Sequence, residues 1–206
     1  MTYRCYFLEV NNIVIHESNP WKLDLRRRLR LIKKYNAANR FESDYESTYA
    51  VIEMCVFYSA FIIRKLFESV KLSDEAERYN FQAIGIKPIK QINRMNNWPD
   101  ENSHDWEKEI CITITGKELC NRLLHSYVFF LEFEESGSIS SFCISSDYDR
   151  NKILYKIALD DWISYMNFIA TDSITESSMH YDRKVQDYVV KFKKRNYERS
   201  YRKIEK

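Results

Sequence analysis

Glycine and proline are scarce in this chain. Its 206 residues include only three glycines, Gly85, Gly116 and Gly137, and three prolines. This scarcity argues against a turn-rich all-β fold and against long disordered linkers. It also leaves no place for a GxGxxG dinucleotide turn, a P-loop or a GxSxG nucleophile elbow. A chain of this length is most simply read as one domain, alone or with a tail.

Two segments of the first half have helical periodicity. A helix is predicted to begin near Pro20 and to continue through WKLDLRRRLRLIKKY. A longer helix is predicted over about 44–70, and its middle is apolar almost all round, as expected of a central helix in a bundle. Apolar residues recur along it at helical spacings: Ile52, Val56, Ala60, Ile63, Phe67 and Val70.

Short strands and capped helices are predicted further along. Ser73 is placed to cap a short helix, and Thr115 stands three residues before Glu118, the spacing of a capping box. Residues 109–115 resemble a strand, and residues 128–157 resemble three consecutive strands joined by turns. The polar, Pro-containing segment 85–105 is predicted to be a long exposed loop.

These patterns together predict an α+β fold with a predominantly helical core and a small antiparallel β meander in the C-terminal half. Residues 1–178 are expected to form one domain. Its helical part covers about 20–80, and its later helix and meander cover about 110–170. Residues 179–206 are expected to form a basic helical tail.

Neither a cofactor nor a metal site is predicted. The five cysteines are scattered without a CxxC pair, which is typical of reduced thiols in a cytosolic protein. The acid-rich stretch 104–109 is interpreted as a cluster of surface charge, and the stretch 147–151 is interpreted as a polar hairpin turn. The most apolar run, 51–63, is shorter than the ~20 residues that span a bilayer, so a cytoplasmic protein without membrane contact is expected.

The stretch ELCNRLLHSYVFF, residues 118–130, contains the candidate catalytic residues. Arg122 and His125 lie one helical turn apart, and Asn121 lies four residues before His125, where it can fix the imidazole tautomer. A histidine beside a cation suits acid–base chemistry on a ribose 2′-hydroxyl without a metal. The alternative is a packed helix whose arginine lies on the surface and whose histidine hydrogen-bonds near the helix end.

The C-terminal segment is basic and rich in aromatic residues. From Tyr181 onward it contains ten Lys and Arg against four acidic residues, a net charge of +6, which leaves −4 for residues 1–180. Cations attract phosphates and aromatic rings stack on unpaired bases. The candidate nucleic-acid-binding residues are Tyr188, Lys191, Phe192, Lys193, Lys194, Arg195, Arg199 and Arg202. The alternative is a helix that docks its aromatics on its own domain or on a partner. The run RRRLR at 26–30 would add to this basic face if the fold brings it near.

The segment CNRLLH, residues 120–125, follows a helical first half and resembles the HEPN superfamily of small prokaryotic helical proteins. Many HEPN proteins are dimeric, metal-independent ribonucleases of toxin–antitoxin and phage-defence systems. Their motif is an arginine, commonly followed by asparagine or another polar residue, and then a histidine after four to six intervening positions. Aligned on Asn121 and His125, this chain has Cys120 in the arginine position, and Arg122 is out of register.

The resemblance and the basic tail together predict a prokaryotic antiviral-defence or toxin–antitoxin protein. It is expected to bind RNA or a nucleoprotein partner without efficient catalysis, with a protein partner or a second copy of itself. One alternative is an active ribonuclease toxin in which His125 is the acid or base, Arg122 stabilises phosphate charge and Asn121 orients the histidine. A second alternative is a purely structural protein-interaction subunit.

Overall fold

A computed structural model describes residues 15–195, in which helices and strands alternate along the chain. The helices are α1 (Ser18–Tyr35), α2 (Ala38–Ser43), α3 (Tyr45–Glu68), α4 (Asp74–Glu77), α5 (Gly116–Leu124) and α6 (Leu159–Thr171). The strands are β1 (Asn80–Ile86), β2 (Ile110–Thr115), β3 (Ser126–Phe133), β4 (Ile139–Ser146), β5 (Leu154–Ala158), β6 (Ile174–Asp182) and β7 (Asp187–Arg195). The loose alternation of apolar and polar residues over 3–15 predicts a strand or an extended arm, and this segment lies almost wholly outside the described residues.

The fold predicted from the sequence is wrong in its architecture. The described chain is α+β with about 41% helix and 30% strand, so the core is not predominantly helical. Its main sheet is antiparallel with strand order β2-β1-β5-β4-β3. Strand β1 begins at Asn80, where the first half was expected to be helix and loop, and it pairs with both β2 and β5. The β meander is therefore only part of a sheet whose strands are spread across the chain.

The predicted helical tail is also wrong in the part that the structure describes. Strands β6 and β7 form a separate two-stranded antiparallel sheet, which we call the ribbon (residues 174–195). Tyr188 and Phe192 are four residues apart, a spacing that fits one helical turn and two strand repeats equally well. Val190 lies midway between them, so apolar side chains recur at every second residue, which is the strand pattern.

The helices cover one face of the main sheet and bury the larger core. Helix α3 contacts α1, α2 and α5, and α6 lies between α1 and the sheet. At the centre, the fully buried Trp162 packs on Phe81, Phe142 and Tyr165, and its indole N–H donates to Ser59 Oγ at 3.2 Å. Burial of these apolar surfaces is the main stabilising contribution to the fold.

The second face of the sheet is covered by the segment 87–109, which has no helix or strand and is mostly exposed, as predicted for a loop, although Ile92, Ser103 and His104 are buried. Ile92 is buried in a smaller cluster with Ile86, Val128 and Leu154. The backbone N–H of Ile92 donates to Asn151 Oδ1 at 2.7 Å, which ties the segment to the β4–β5 turn. The segment therefore packs on this face of the sheet although it forms neither a helix nor a strand.

Both predicted helix caps are confirmed. Ser73 Oγ accepts from the backbone N–H of Ala76, and Thr115 and Glu118 form a reciprocal capping box at the start of α5. Gly116 follows immediately, and a Cβ at this position would collide with the phenol of Tyr165. A glycine is thus required where α5 approaches α6.

A buried carboxylate joins the ribbon to the helices. Asp172, between α6 and β6, accepts from the backbone N–H of Ser73 at 2.8 Å and from Ser73 Oγ at 2.7 Å. Arg195 Nε at the end of β7 lies 3.9 Å from Asp172 Oδ1, and Lys22 Nζ donates to the Asp172 carbonyl at 2.7 Å. Burial lowers the pKa of Lys22, and the charge of Asp172 opposes that shift. Asp172 therefore connects α1, α4, α6 and both strands of the ribbon.

Replacing Asp172 with alanine is expected to lower the free energy of unfolding by about 3 kcal/mol, because the buried N–H and hydroxyl of Ser73 lose their acceptor and the cations Lys22 and Arg195 lose their counter-charge. Urea denaturation at neutral pH measures this change. Glu135→Ala, which removes an exposed carboxylate from the β3–β4 turn, is the control and should stay within about 0.5 kcal/mol of wild type. Equal effects of the two substitutions would contradict the role of Asp172.

Candidate functional site

The three candidate catalytic residues lie together in one cleft. Asn121, Arg122 and His125 line a cavity of about 400 Å³, opposite the turn between β4 and β5. The turn contributes Ser146, Asp147, Tyr148 and Asp149. The sequence therefore located a real concavity, although it did not indicate that the 146–149 turn forms the other wall.

The backbone at the end of α5 fixes the position of His125. His125 is the C-cap residue, its N–H donates to the Asn121 carbonyl at 3.0 Å, and its own carbonyl accepts from the Asp147 N–H at 3.1 Å. Its side chain is exposed toward solvent. An exposed imidazole in a polar cleft can exchange protons with a bound ligand.

Arg122 is held by the protein itself. Its Nε lies 3.0 Å from Asp149 Oδ2, and its terminal nitrogen donates to the Tyr155 hydroxyl at 3.1 Å. The guanidinium also lies over the Tyr155 ring, 4.6 Å from the ring centre. The Nε–H is not aligned with the carboxylate oxygen, so this contact is an ion pair rather than a directed hydrogen bond.

Asp149 is placed to neutralise that arginine. Its side chain is 8% exposed, and it accepts a hydrogen bond from Ser146 Oγ at 2.8 Å. Glu118, the other acid near Arg122, is used instead in the capping box, where the Thr115 N–H lowers its pKa. The positive charge of Arg122 is therefore compensated by Asp149 before any ligand enters the cleft.

Cys120, which stands in the arginine position of the HEPN motif, faces the core. It is completely buried, and burial raises the pKa of its thiol. It therefore belongs to the packed face of α5 with Leu119 and Leu123. The thiol is not available to the cleft.

The candidate nucleic-acid-binding residues separate into structural and exposed groups. Lys193 is buried and forms an ion pair with Glu77 of α4, and its backbone N–H donates to Asp74 at 3.1 Å. The Arg195 side chain is 12% exposed and lies over Phe168, 4.5 Å from the ring centre. These two cations hold the base of the ribbon on the helices.

The exposed candidates are Tyr188, Lys191 and Lys194. Lys194 pairs with Glu176 across the ribbon at 3.2 Å, a surface ion pair, and lies over the half-buried Phe192. Arg199 and Arg202 lie outside the described residues. The ribbon therefore presents fewer free cations than its composition suggests.

Sequence reasoning missed the other strand of the ribbon and its turn. Tyr181 lies directly opposite Tyr188, with ring centres 5.4 Å apart and planes at 70°. Both rings are more than half exposed, and the turn adds the exposed Arg183 and Lys184. The alternation of apolar and polar residues over 190–193, after the β-branched Val189, was the signal that could have indicated this strand.

The basic run of α1 reaches the base of the ribbon. Arg26 donates to the Ala170 carbonyl at the end of α6, at 3.1 Å. The positive charges of Arg26, Lys71 and Arg195 all act on the buried Lys22. Asp172 is therefore the carboxylate nearest this group of cations, whereas Lys193 on the neighbouring strand is paired with Glu77 and lies beside Asp74.

Comparisons with known proteins identify no relative. No family model, no curated protein and no solved structure matches the chain. Among residues 15–195, no helix is long and apolar enough to cross a membrane, and no three His, Cys, Asp or Glu side chains are grouped to hold a metal. The HEPN resemblance stays a prediction based on residues 120–125.

The pair Arg122 and Asp149 is expected to be energetically coupled, because each partner is mostly desolvated. Arg122→Ala, Asp149→Ala and the double variant should give a coupling energy of about 1–2 kcal/mol in urea unfolding. The exposed pair Asp105 and Lys108, at 2.9 Å, is the matched control and should give less than about 0.5 kcal/mol. A coupling no larger than the control would show that Arg122 is free to act on a ligand.

Proposed function

We propose that this protein binds RNA without efficient catalysis, in a prokaryotic defence or toxin–antitoxin setting. The observation that carries the proposal is the ribbon, a solvent-exposed β hairpin with cations and a tyrosine pair. The defence setting is supported by the resemblance of CNRLLH to the HEPN motif.

The ribbon is held at its base and free along its length. An isolated two-stranded hairpin is marginally stable in water, so its packing on the domain is needed to order it. That packing is provided by Asp172, Arg195 and the Lys193–Glu77 ion pair. Toward the turn, both strands are mostly exposed. This arrangement gives a ligand access to both faces of the ribbon.

The exposed groups of the ribbon suit single-stranded RNA. Arg183, Lys184 and Lys191 can neutralise phosphates and release counterions. Tyr181 and Tyr188 share one face, because cross-strand neighbours point to the same side of a sheet. Bases stack on aromatic side chains only where they are unpaired, so an unpaired strand is the favoured ligand.

The ion pair between Arg122 and Asp149 supports the proposal that catalysis is weak. A residue that stabilises charge on a phosphate in the transition state must have its own charge available. Asp149 compensates that charge inside the protein. We therefore propose that the cleft around His125 does not cleave RNA efficiently.

A second candidate function is a metal-independent ribonuclease, since Asn121, Arg122 and His125 share one cleft. In this reaction His125 would transfer the proton and Asn121 would orient it, and Arg122 would leave Asp149 to contact the phosphate. A protein-interaction role is the remaining alternative, because the outer edges of a two-stranded sheet can pair with a partner chain or a second copy.

Removing the tyrosine pair, as Tyr181→Ala with Tyr188→Ala, should weaken binding to unpaired RNA. A stacked base contributes roughly 1–3 kcal/mol, so the loss of even one should cost roughly 5- to 150-fold in affinity.

The double substitution Lys184→Gln with Lys191→Gln should reduce the salt dependence of RNA binding. The slope of log K against log salt should become smaller by about 1.4, because two phosphate contacts are lost. Fluorescence anisotropy with labelled single-stranded RNA measures both effects.

The control for the ribbon variants is Lys108→Gln with Lys117→Gln, two exposed lysines outside the ribbon. Equal losses in both pairs would show that the attraction is a general charge effect and would contradict a ribbon site. If RNA never binds and a protein partner is retained at high salt, the interaction role replaces the RNA-binding role.

Incubation of the full chain with end-labelled RNA in EDTA should leave the RNA intact, for wild type and for His125→Ala alike. His180→Ala, which removes an exposed histidine from the ribbon, is the matched control. Cleavage by wild type and His180→Ala, but not by His125→Ala, would establish the cleft as an active site and would overturn the non-catalytic assignment.

A further inference from the structure

A larger cavity lies on the face of the main sheet opposite the helices. Its volume is about 730 Å³, and the segment 87–109 forms most of its wall. The cavity is lined by Pro99, Asp100, Glu101, Asn102, Trp106 and Phe130. It shares no lining residue with the His125 cleft or the ribbon.

Two aromatic rings, Trp106 and Phe130, line this cavity, and a third, Trp98, packs near Phe130. Phe130 of β3 lies 6.3 Å from Trp98 and 6.5 Å from Trp106, measured between ring centres. The planes are inclined by 51° and 76°, so the rings present faces and edges in different directions. The Trp106 indole N–H donates to the Asp100 carbonyl at 3.1 Å, which orients this ring. Trp98 is 68% exposed and directly precedes Pro99, a lining residue.

Two carboxylates accompany the rings. Asp100 and Glu101 both line the cavity and both are exposed. Asp100 Oδ1 accepts from the Asn102 N–H at 2.8 Å and lies 3.7 Å from Lys90 Nζ, so part of its charge is already used. The cavity wall is therefore aromatic and acidic, and its negative charge disfavours phosphates and carboxylates as ligands.

We propose that this cavity binds an organic ammonium ion, with a trimethylammonium group as the best fit. Aromatic ring faces attract cations within about 6 Å of their centres, and quaternary ammonium groups are commonly recognised by several rings at once. The carboxylates of Asp100 and Glu101 add attraction for the same positive charge. A nucleobase fits less well, because stacking on both sides of a base requires parallel rings.

The same head group can come from two sources. A free quaternary amine is one, and a trimethylated lysine side chain of a partner protein is the other. Both present three methyl groups on a positive nitrogen. The inference is independent of RNA binding, because it depends on residues outside the ribbon.

Titration of the full chain with choline tests the inference, with 3,3-dimethylbutan-1-ol as the neutral compound of the same shape. The indole N–H signals of Trp98 and Trp106 report binding by NMR. Choline should bind roughly 2- to 30-fold more tightly than the neutral compound, which is the range of a cation–π contribution. A trimethyl-lysine peptide beside its unmethylated form tests the second source.

Two variants test whether the site is the one described. Trp106→Leu keeps apolar area but removes one of the two π faces that line the cavity, so it should reduce the preference for the cation. Glu101→Gln should weaken choline binding, whereas Glu107→Gln, an exposed acid outside the lining, should leave it unchanged. Equal affinity for choline and its neutral counterpart would overturn the proposal, as would indole signals that respond to neither choline nor the methylated peptide. A response to the peptide alone would assign the site to a protein side chain.

Discussion

The buried carboxylate of Asp172 is the constraint on which the arrangement of the outer elements depends. A buried charge costs several kcal/mol unless donors and opposite charges surround it. Here the donors come from Ser73 at the start of α4, and the charge of Arg195 comes from the end of the ribbon. Lys22 of α1 binds the adjacent carbonyl. Because these partners come from three places in the sequence, satisfying the polar groups of Asp172 requires the helices and the ribbon to be assembled together.

Carboxylates compensate positive charge to different extents in the His125 cleft and in the ribbon. In the His125 cleft, one arginine faces one carboxylate, and the charges of Arg122 and Asp149 compensate each other. In the ribbon, the exposed Arg183, Lys184 and Lys191 form no ion pair within residues 15–195, so their positive charge is not compensated there. The difference favours the ribbon and its surroundings over the cleft as the place where a polyanion would bind. It also explains why a histidine and an arginine one turn apart are insufficient grounds to infer catalysis.

Sequence reasoning succeeded where structure is set by neighbouring residues. The capping box of Thr115 and Glu118 depends on a three-residue spacing, and α3 on a continuous apolar period. It failed where structure depends on distant pairing. Whether Asn80–Ile86 is a strand is decided by its partners β2 and β5, and strand preference is strongly dependent on such context. The cleft shows the same limit, because Asp149 is 27 positions from Arg122 and no local pattern connects them. Likewise, Trp98 and Phe130 meet only because the segment 87–109 folds over the sheet.

The most direct test of RNA binding at the ribbon is ultraviolet cross-linking of the full chain to unpaired RNA, followed by identification of the modified peptides. Binding at the ribbon predicts that the cross-linked peptides contain Tyr181 or Tyr188, with further cross-links in α1 near Arg26. Cross-links concentrated in residues 121–149 would place the RNA in the His125 cleft. That result would contradict the assignment of binding to the ribbon.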